Sequence, residues 1–182
     1  MKNQKDMIAE LAALAHTADA LIVSEIASQS VWLAATGDDE RHLYLSGPMG
    51  MATSVGLGVA LANLKRPVLV ITGDGSLMMN LPSLVTINHM VPPNLTIALM
   101  DNEIYDFTGK GPTPSNGLNW VEMMKGYTNI TSQSIDGAGG LTLSANSGPA
   151  FWHAKVAPMD EKGPALPLTG PEIHKRFKNL VG

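Results

Sequence analysis

Short, unbroken apolar runs separated by stretches of helical periodicity restrict the fold of this chain more than any other feature. Val68-Leu69-Val70-Ile71, bounded by Pro67 and Gly73, is the clearest. It is β-branched, too short for a helix, and lacks the polar alternation of a half-exposed strand. Residues 20–23, 42–45, 95–100 and 150–156 read as strands in the same way, and 130–134 as extended. Between them, helical spacing starts at Met7, Ile8, Leu11 and Leu14 and recurs over 30–35, 49–64, 82–90 and 119–127. Asn80 is the expected cap of the 82–90 helix, with Pro82 in its first turn. Thr169-Gly170-Pro171 opens a last helix with Ile173, Phe177 and Leu180 on one face. Apolar strands alternating with helices predict a doubly wound α/β fold, its sheet mostly parallel and covered on both faces. Ligands then sit at the carboxyl ends of strands. Residues 136–148 are the most loop-like. The expected organisation is one domain over 1–182, with 158–182 as a C-terminal arm and helix.

Composition narrows the function classes. Only 15% of residues are charged, against about 25% in an average soluble domain, which fits a surface partly covered by another protein and equally a compact, glycine-rich single domain. Net charge is −4 without a dense Lys/Arg run, so nucleic acid and anionic lipid are not expected partners. There is no cysteine, which excludes disulfides, zinc–thiolate sites and iron–sulfur clusters. Residues 1–19 lack a signal peptide's apolar core, and 49–64 is too short and too polar for a membrane span. The expected location is the cytoplasm.

The chemistry concentrates after the 68–71 strand, in Thr72-Gly73-Asp74-Gly75-Ser76. Glycines flanking an acid permit a sharp turn and close approach of a ligand. A dinucleotide fold needs a third glycine where Met78 stands, and its pyrophosphate would face the charge of Asp74. An acid beside a diphosphate makes sense when a metal lies between them. The next strand ends in Asp101-Asn102-Glu103-Ile104-Tyr105, and successive parallel strands often lie side by side. Asp74 and Asn102 then share one sheet edge and offer hard oxygen ligands suited to Mg²⁺. A purely structural GDG turn and a polar strand-end turn remain the alternatives.

GDGS followed 26 residues later by Asn102 resembles the signature of thiamine diphosphate (ThDP) enzymes, in their C-terminal, diphosphate-binding domain. The resemblance implies Mg²⁺ ligation by Asp74 and Asn102 side chains and the Ile104 carbonyl. Gly73, Gly75, Ser76 and Tyr105 would contact the cofactor. Many members have two asparagines where this chain has Asp101-Asn102. Gly47-Pro48-Met49-Gly50 resembles the segment that bends the cofactor. Met49 would fill the space beneath it, and the Gly47 carbonyl would accept from its 4′-amino group. Ser28 aligns with a loop that reaches the diphosphate. The likeness covers residues 20–113 and extends to sulfopyruvate decarboxylase β subunits and phosphonopyruvate decarboxylases through Thr108-Gly109-Lys110-Gly111-Pro112-Thr113. Those relatives usually carry glutamine where Gly111 stands.

In such enzymes a glutamate from a separate pyrimidine-binding domain contacts the aminopyrimidine. Glu10 reads as a surface residue and Glu25 as lying on the diphosphate side, so the resemblance implies a partner (α) subunit and a hetero-oligomer. The implied reaction is decarboxylation of a small 2-oxo acid with an anionic tail, anchored by Lys110. His89 and His153 read as ordinary helix and strand residues. Carboligation of the acetolactate synthase type, a non-catalytic ThDP-binding module and a Rossmann-type nucleotide module are the other readings.

Overall fold

The computed structural model describes residues 1–181. Six strands form one sheet: β1 (Leu21–Ser24), β2 (His42–Tyr44), β3 (Val68–Gly73), β4 (Leu95–Asp101), β5 (Thr131–Ile135) and β6 (Ala150–Lys155). Their order is β2-β1-β3-β4-β6-β5, and every pairing is parallel. The helices are α1 (Gln4–Thr17), α2 (Ser28–Ala34), α3 (Ala52–Ala62), α4 (Asp74–Met79), α5 (Pro82–Met90), α6 (Trp120–Met124) and α7 (Gly170–Val181). No described helix is long and apolar enough to cross a membrane.

Strand pleating assigns the two faces. Ile22, Leu69, Ile71 and Met100 point into a core with Met7, Ile8 and Leu11 of α1 and Trp32 of α2. Val23, Val68, Val70, Ile97 and Leu99 point the other way, against α3, α5 and α6. All six residues of β3 and all seven of β4 are buried, so the centre of the sheet is solvent-free on both sides. Burying a large aliphatic side chain contributes roughly 1.5–3 kcal/mol, and Leu69→Ala would cost about 2–5 kcal/mol. Gly56 lets α3 sit directly on β3, because a Cβ there would run into Val70.

Three local expectations change. Helix α3 begins at Ala52, not 49: Gly50 has φ +87° and breaks the pattern, which leaves 47–51 as a loop. The GDGS segment is less a turn than the first turn of α4, whose N-cap is Gly73. Asn80 does not cap α5. The cap position is Leu81, and Asn80 Nδ2 instead donates to Gly50 O at 2.8 Å and Ser54 Oγ at 3.1 Å.

Strand order reverses between β1 and β3. From β1 the chain moves outward to β2, then returns to the other side of β1 with β3. Loops leaving β1 and β3 therefore diverge to opposite faces and open a crevice at their carboxyl ends, the place where open α/β sheets bind ligands.

Candidate cofactor site

Four neighbouring strands deliver the site. The end of β1 leads to Ser28, β2 to the loop carrying Met49, β3 to Gly73–Ser76, and β4 to Asn102–Thr108. Gly73 pairs with Met100 in the β3–β4 register, so Asp74 and Asn102 emerge together. Ser28, Met49, Gly73, Asp74, Gly75, Ser76, Asn102, Ile104 and Tyr105 line one cleft of about 160 Å³. Complete small-molecule pockets run to about 300–1,000 Å³, so these walls suit part of a cofactor. Gly47 is exposed and does not line it.

Asp74 is 2% exposed, and its carboxylate accepts from the Thr113 hydroxyl. Burial, with the nearby charge of Asp101 adding to it, raises its pKa. Among the described residues no lysine or arginine pairs with it. Asn102 is held by its own surroundings: Oδ1 accepts from Ile104 N at 3.1 Å, and Nδ2 donates to Asp106 Oδ2 at 2.8 Å. Residues 103–113 fold back on themselves, with Tyr105 N donating to Gly111 O and Thr113 N to Glu103 O. That pattern turns the Ile104 carbonyl outward, and among the described residues no backbone amide donates to it. Gly75 is obligatory because a Cβ would collide with the Tyr105 ring.

Nothing in the sequence marks Asp106. It lies in the cleft, accepts also from Ser28 Oγ at 3.4 Å, and has its pKa raised by burial. Its Oδ1 is buried without a protein partner. Carboxylate, amide and carbonyl oxygens around one cleft make an all-oxygen donor set, the kind octahedral Mg²⁺ takes. The residues present thus fit a divalent cation, which could share its remaining positions with diphosphate oxygens.

Asp101 has a different task from Asn102. It turns away from the cleft, where Ser115 Oγ (2.7 Å), His153 Nε2 (2.9 Å) and Lys155 Nζ (3.2 Å) surround it. Burial pushes its pKa up, but these partners outweigh burial and hold it below the ordinary value. The aspartate at this position is therefore compatible with the site: its charge is compensated beneath the cleft floor. Lys110 lies outside the cleft, against a neighbouring cavity of about 450 Å³ shared with Trp32, Phe107 and residues 159–165. Its ammonium donates to Met159 O at 3.3 Å and pairs with Asp160.

A second cluster of metal-binding residue types, His16, Asp39 and His42, lies at the β2 edge. Its geometry is that of a hydrogen bond. The two Nε2 atoms are 2.8 Å apart, with ring centroids 5.0 Å apart and planes 12° apart. The rings therefore meet head-on in nearly one plane, whereas two nitrogens on one tetrahedral metal would lie about 3.3 Å apart. Asp39 is already engaged by Arg41.

Comparison with known proteins identifies the family. Residues 25–158 match the family described as "Thiamine pyrophosphate enzyme, C-terminal TPP binding domain". The chain belongs to this family; thiamine pyrophosphate is ThDP. It is 36% identical over 159 residues to the sulfopyruvate decarboxylase subunit β of Methanothermobacter thermautotrophicus, covering 87% of this chain and 85% of that one. It is also 36% identical over 169 residues to phosphonopyruvate decarboxylase of Streptomyces viridochromogenes, covering 90% of this chain but 42% of that longer protein. A solved structure described as a thiamin diphosphate-dependent enzyme from Mycobacterium smegmatis superposes with a TM-score of 0.62 at 16% identity. That match covers 86% of this chain and 32% of the other, and shows the shared fold.

Proposed function

We propose that this chain is the β-type subunit of a ThDP- and Mg²⁺-dependent carboxy-lyase. In this reading it is one diphosphate-binding domain with a C-terminal arm, and its substrate is sulfopyruvate or a similar anionic 3-substituted pyruvate. Bound ThDP would supply the carbanion-stabilising centre that makes loss of CO₂ feasible. The chain's own residues bind and orient it. Asp74, Asn102 and the Ile104 carbonyl hold Mg²⁺. Ser28, Gly73, Gly75, Ser76 and Tyr105 line the diphosphate side. Met49, in the same cleft, would support the cofactor's bend, and the Gly47 carbonyl would accept from its 4′-amino group, although Gly47 does not line the cleft. Lys110 is the candidate anchor for the anionic tail, once it exchanges Asp160 for substrate.

The observation that carries this reading is the convergence of Asp74, Asn102 and Met49 on one cleft at the point where strand order reverses. The partner subunit is a pyrimidine-binding chain that contributes the catalytic glutamate. Neither acid considered for that role in this chain is free for it. Glu10 pairs with Lys2 and accepts from Ala138 N, and Glu25 is sealed in the interior. The named β subunit, matched over most of its length, supports the same division.

Calorimetry of ThDP binding with and without Mg²⁺ tests the site. Tight, Mg²⁺-dependent binding lost in Asp74→Ala is expected; unchanged affinity in that variant would overturn the metal assignment. Activity is expected toward sulfopyruvate only after mixing with the pyrimidine-domain partner, and not with this chain alone.

A further inference from the structure

Glu25 is a fully buried carboxylate beside the cleft to which the proposed chemistry gives no task. It follows β1, is 0% exposed, and is ringed by donors. Oε1 accepts from Ile26 N at 3.2 Å; Oε2 accepts from Gly50 N at 3.1 Å and Ala52 N at 3.4 Å. Isolating such a carboxylate costs several kcal/mol unless its surroundings stabilise it. Here two of the three amides come from the Met49 loop and from the start of α3 directly behind it.

Gly50 is gripped from the other side too. While Glu25 takes its N–H, Asn80 Nδ2 donates to its carbonyl at 2.8 Å. Its φ of +87° suits glycine, and a Cβ would lie 2.9 Å from Ser76 O. One peptide residue is thus pinned between the end of β1 and the end of α4, whose first residue is Asp74. Met49 is its immediate neighbour.

We infer that Glu25 and Asn80 are positioning residues: acting through Gly50, they fix the height of Met49 in the cleft and tie it to the segment that carries Asp74. The inference rests on the cofactor reading above for its purpose, but not for its geometry. Burial raises the pKa of Glu25 while three backbone amides favour its ionised form. Such a costly group is retained where it specifies a conformation.

Two measurements on Glu25→Ala, Glu25→Gln and Asn80→Ala test the clamp. In the chain alone, amide hydrogen exchange at Gly50 and Ala52 should quicken roughly tenfold or more in Glu25→Ala, the size expected when amides lose a charged acceptor. Glu25→Gln should fall between Glu25→Ala and wild type. Exchange in β3 and β4 should stay unchanged. ThDP affinity in Mg²⁺ should weaken about fivefold to tenfold in Glu25→Gln and in Asn80→Ala, while affinity for inorganic pyrophosphate with Mg²⁺ stays within about twofold. Asn80 is partly exposed, so Asn80→Ala keeps the test open if Glu25→Ala does not fold. Exchange rising evenly through the sheet, or ThDP and pyrophosphate weakening together, would show a merely structural role and overturn the inference. Wild-type protein that binds neither ligand would instead remove the cofactor reading and leave the exchange result standing.

Discussion

Two polar regions of this molecule treat their carboxylates in opposite ways. At the β2 edge Asp38 and Asp39 each have an arginine partner. Arg176 forks onto Asp38, Tyr44 donates to Asp38 at 3.0 Å, and Arg41 holds Asp39. Side-chain hydrogen bonds to those arginines lower both aspartates' pKa values. In the cleft, burial raises Asp74 and Asp106, and among the described residues no side-chain cation answers Asp74. A network that compensates itself maintains the fold; one whose charge is left for something else to balance is built to bind.

The sharpest way to break this contrast is to remove one aspartate from each region. Asp74→Ala should lose a hundredfold or more of ThDP–Mg²⁺ affinity by calorimetry, while the cofactor-free melting temperature holds or rises. A large fall in melting temperature would place Asp74 with the structural network. Acid stability probes the other region. Burial, with His16 beside it, lowers the His42 pKa to about 4. The unfolded chain takes up that proton near pH 6.5, so stability is full above about 6.5 and is lost as pH falls towards about 4. The loss is on the order of 3 kcal/mol. Asp74 and Glu25, raised in the fold, act in the opposite sense below neutrality. The clean measurement is therefore the difference between wild type and His42→Asn, whose melting temperature should fall less over that interval.

Smaller effects follow. Asp38→Ala should cost about 2 kcal/mol in denaturant unfolding, because Arg176 and Tyr44 lose their shared acceptor. ThDP affinity should be unaffected; weaker cofactor binding would mean the two regions communicate. Met49→Leu should change activity with the partner by less than about 1.5 kcal/mol, since volume is nearly conserved. Met49→Ala should lose far more in turnover than in diphosphate affinity, and normal turnover would remove Met49 from the cofactor's support.

What was legible in the sequence follows from period and glycine chemistry. The runs at 68–71 and 95–100 specify the two central strands, and their spacing to Asp74 and Asn102 needs only parallel pairing to bring those residues together. Helix ends were less legible. Gly50 could be read as one more small residue in an apolar helix, because its left-handed backbone depends on Glu25 and Asn80 from distant segments. Asn80 looked like a cap for the same reason: its actual partners, Gly50 and Ser54, are 30 and 26 residues away. Asp106 carries no signal beyond standing four residues after Asn102, and its place depends on how residues 103–113 fold back.

Strand order has one further consequence, for synthesis. Strand β5 emerges before β6, yet β6 separates it from β4, so β5 has no seat in the sheet until a later segment has docked. An unpaired strand waiting in a growing chain invites association with its neighbours. Thr131-Ser132-Gln133-Ser134 is polar throughout, and three of β5's five residues remain exposed in the finished fold. A strand that must wait for its neighbour beside a sheet already begun is here one poorly able to stick.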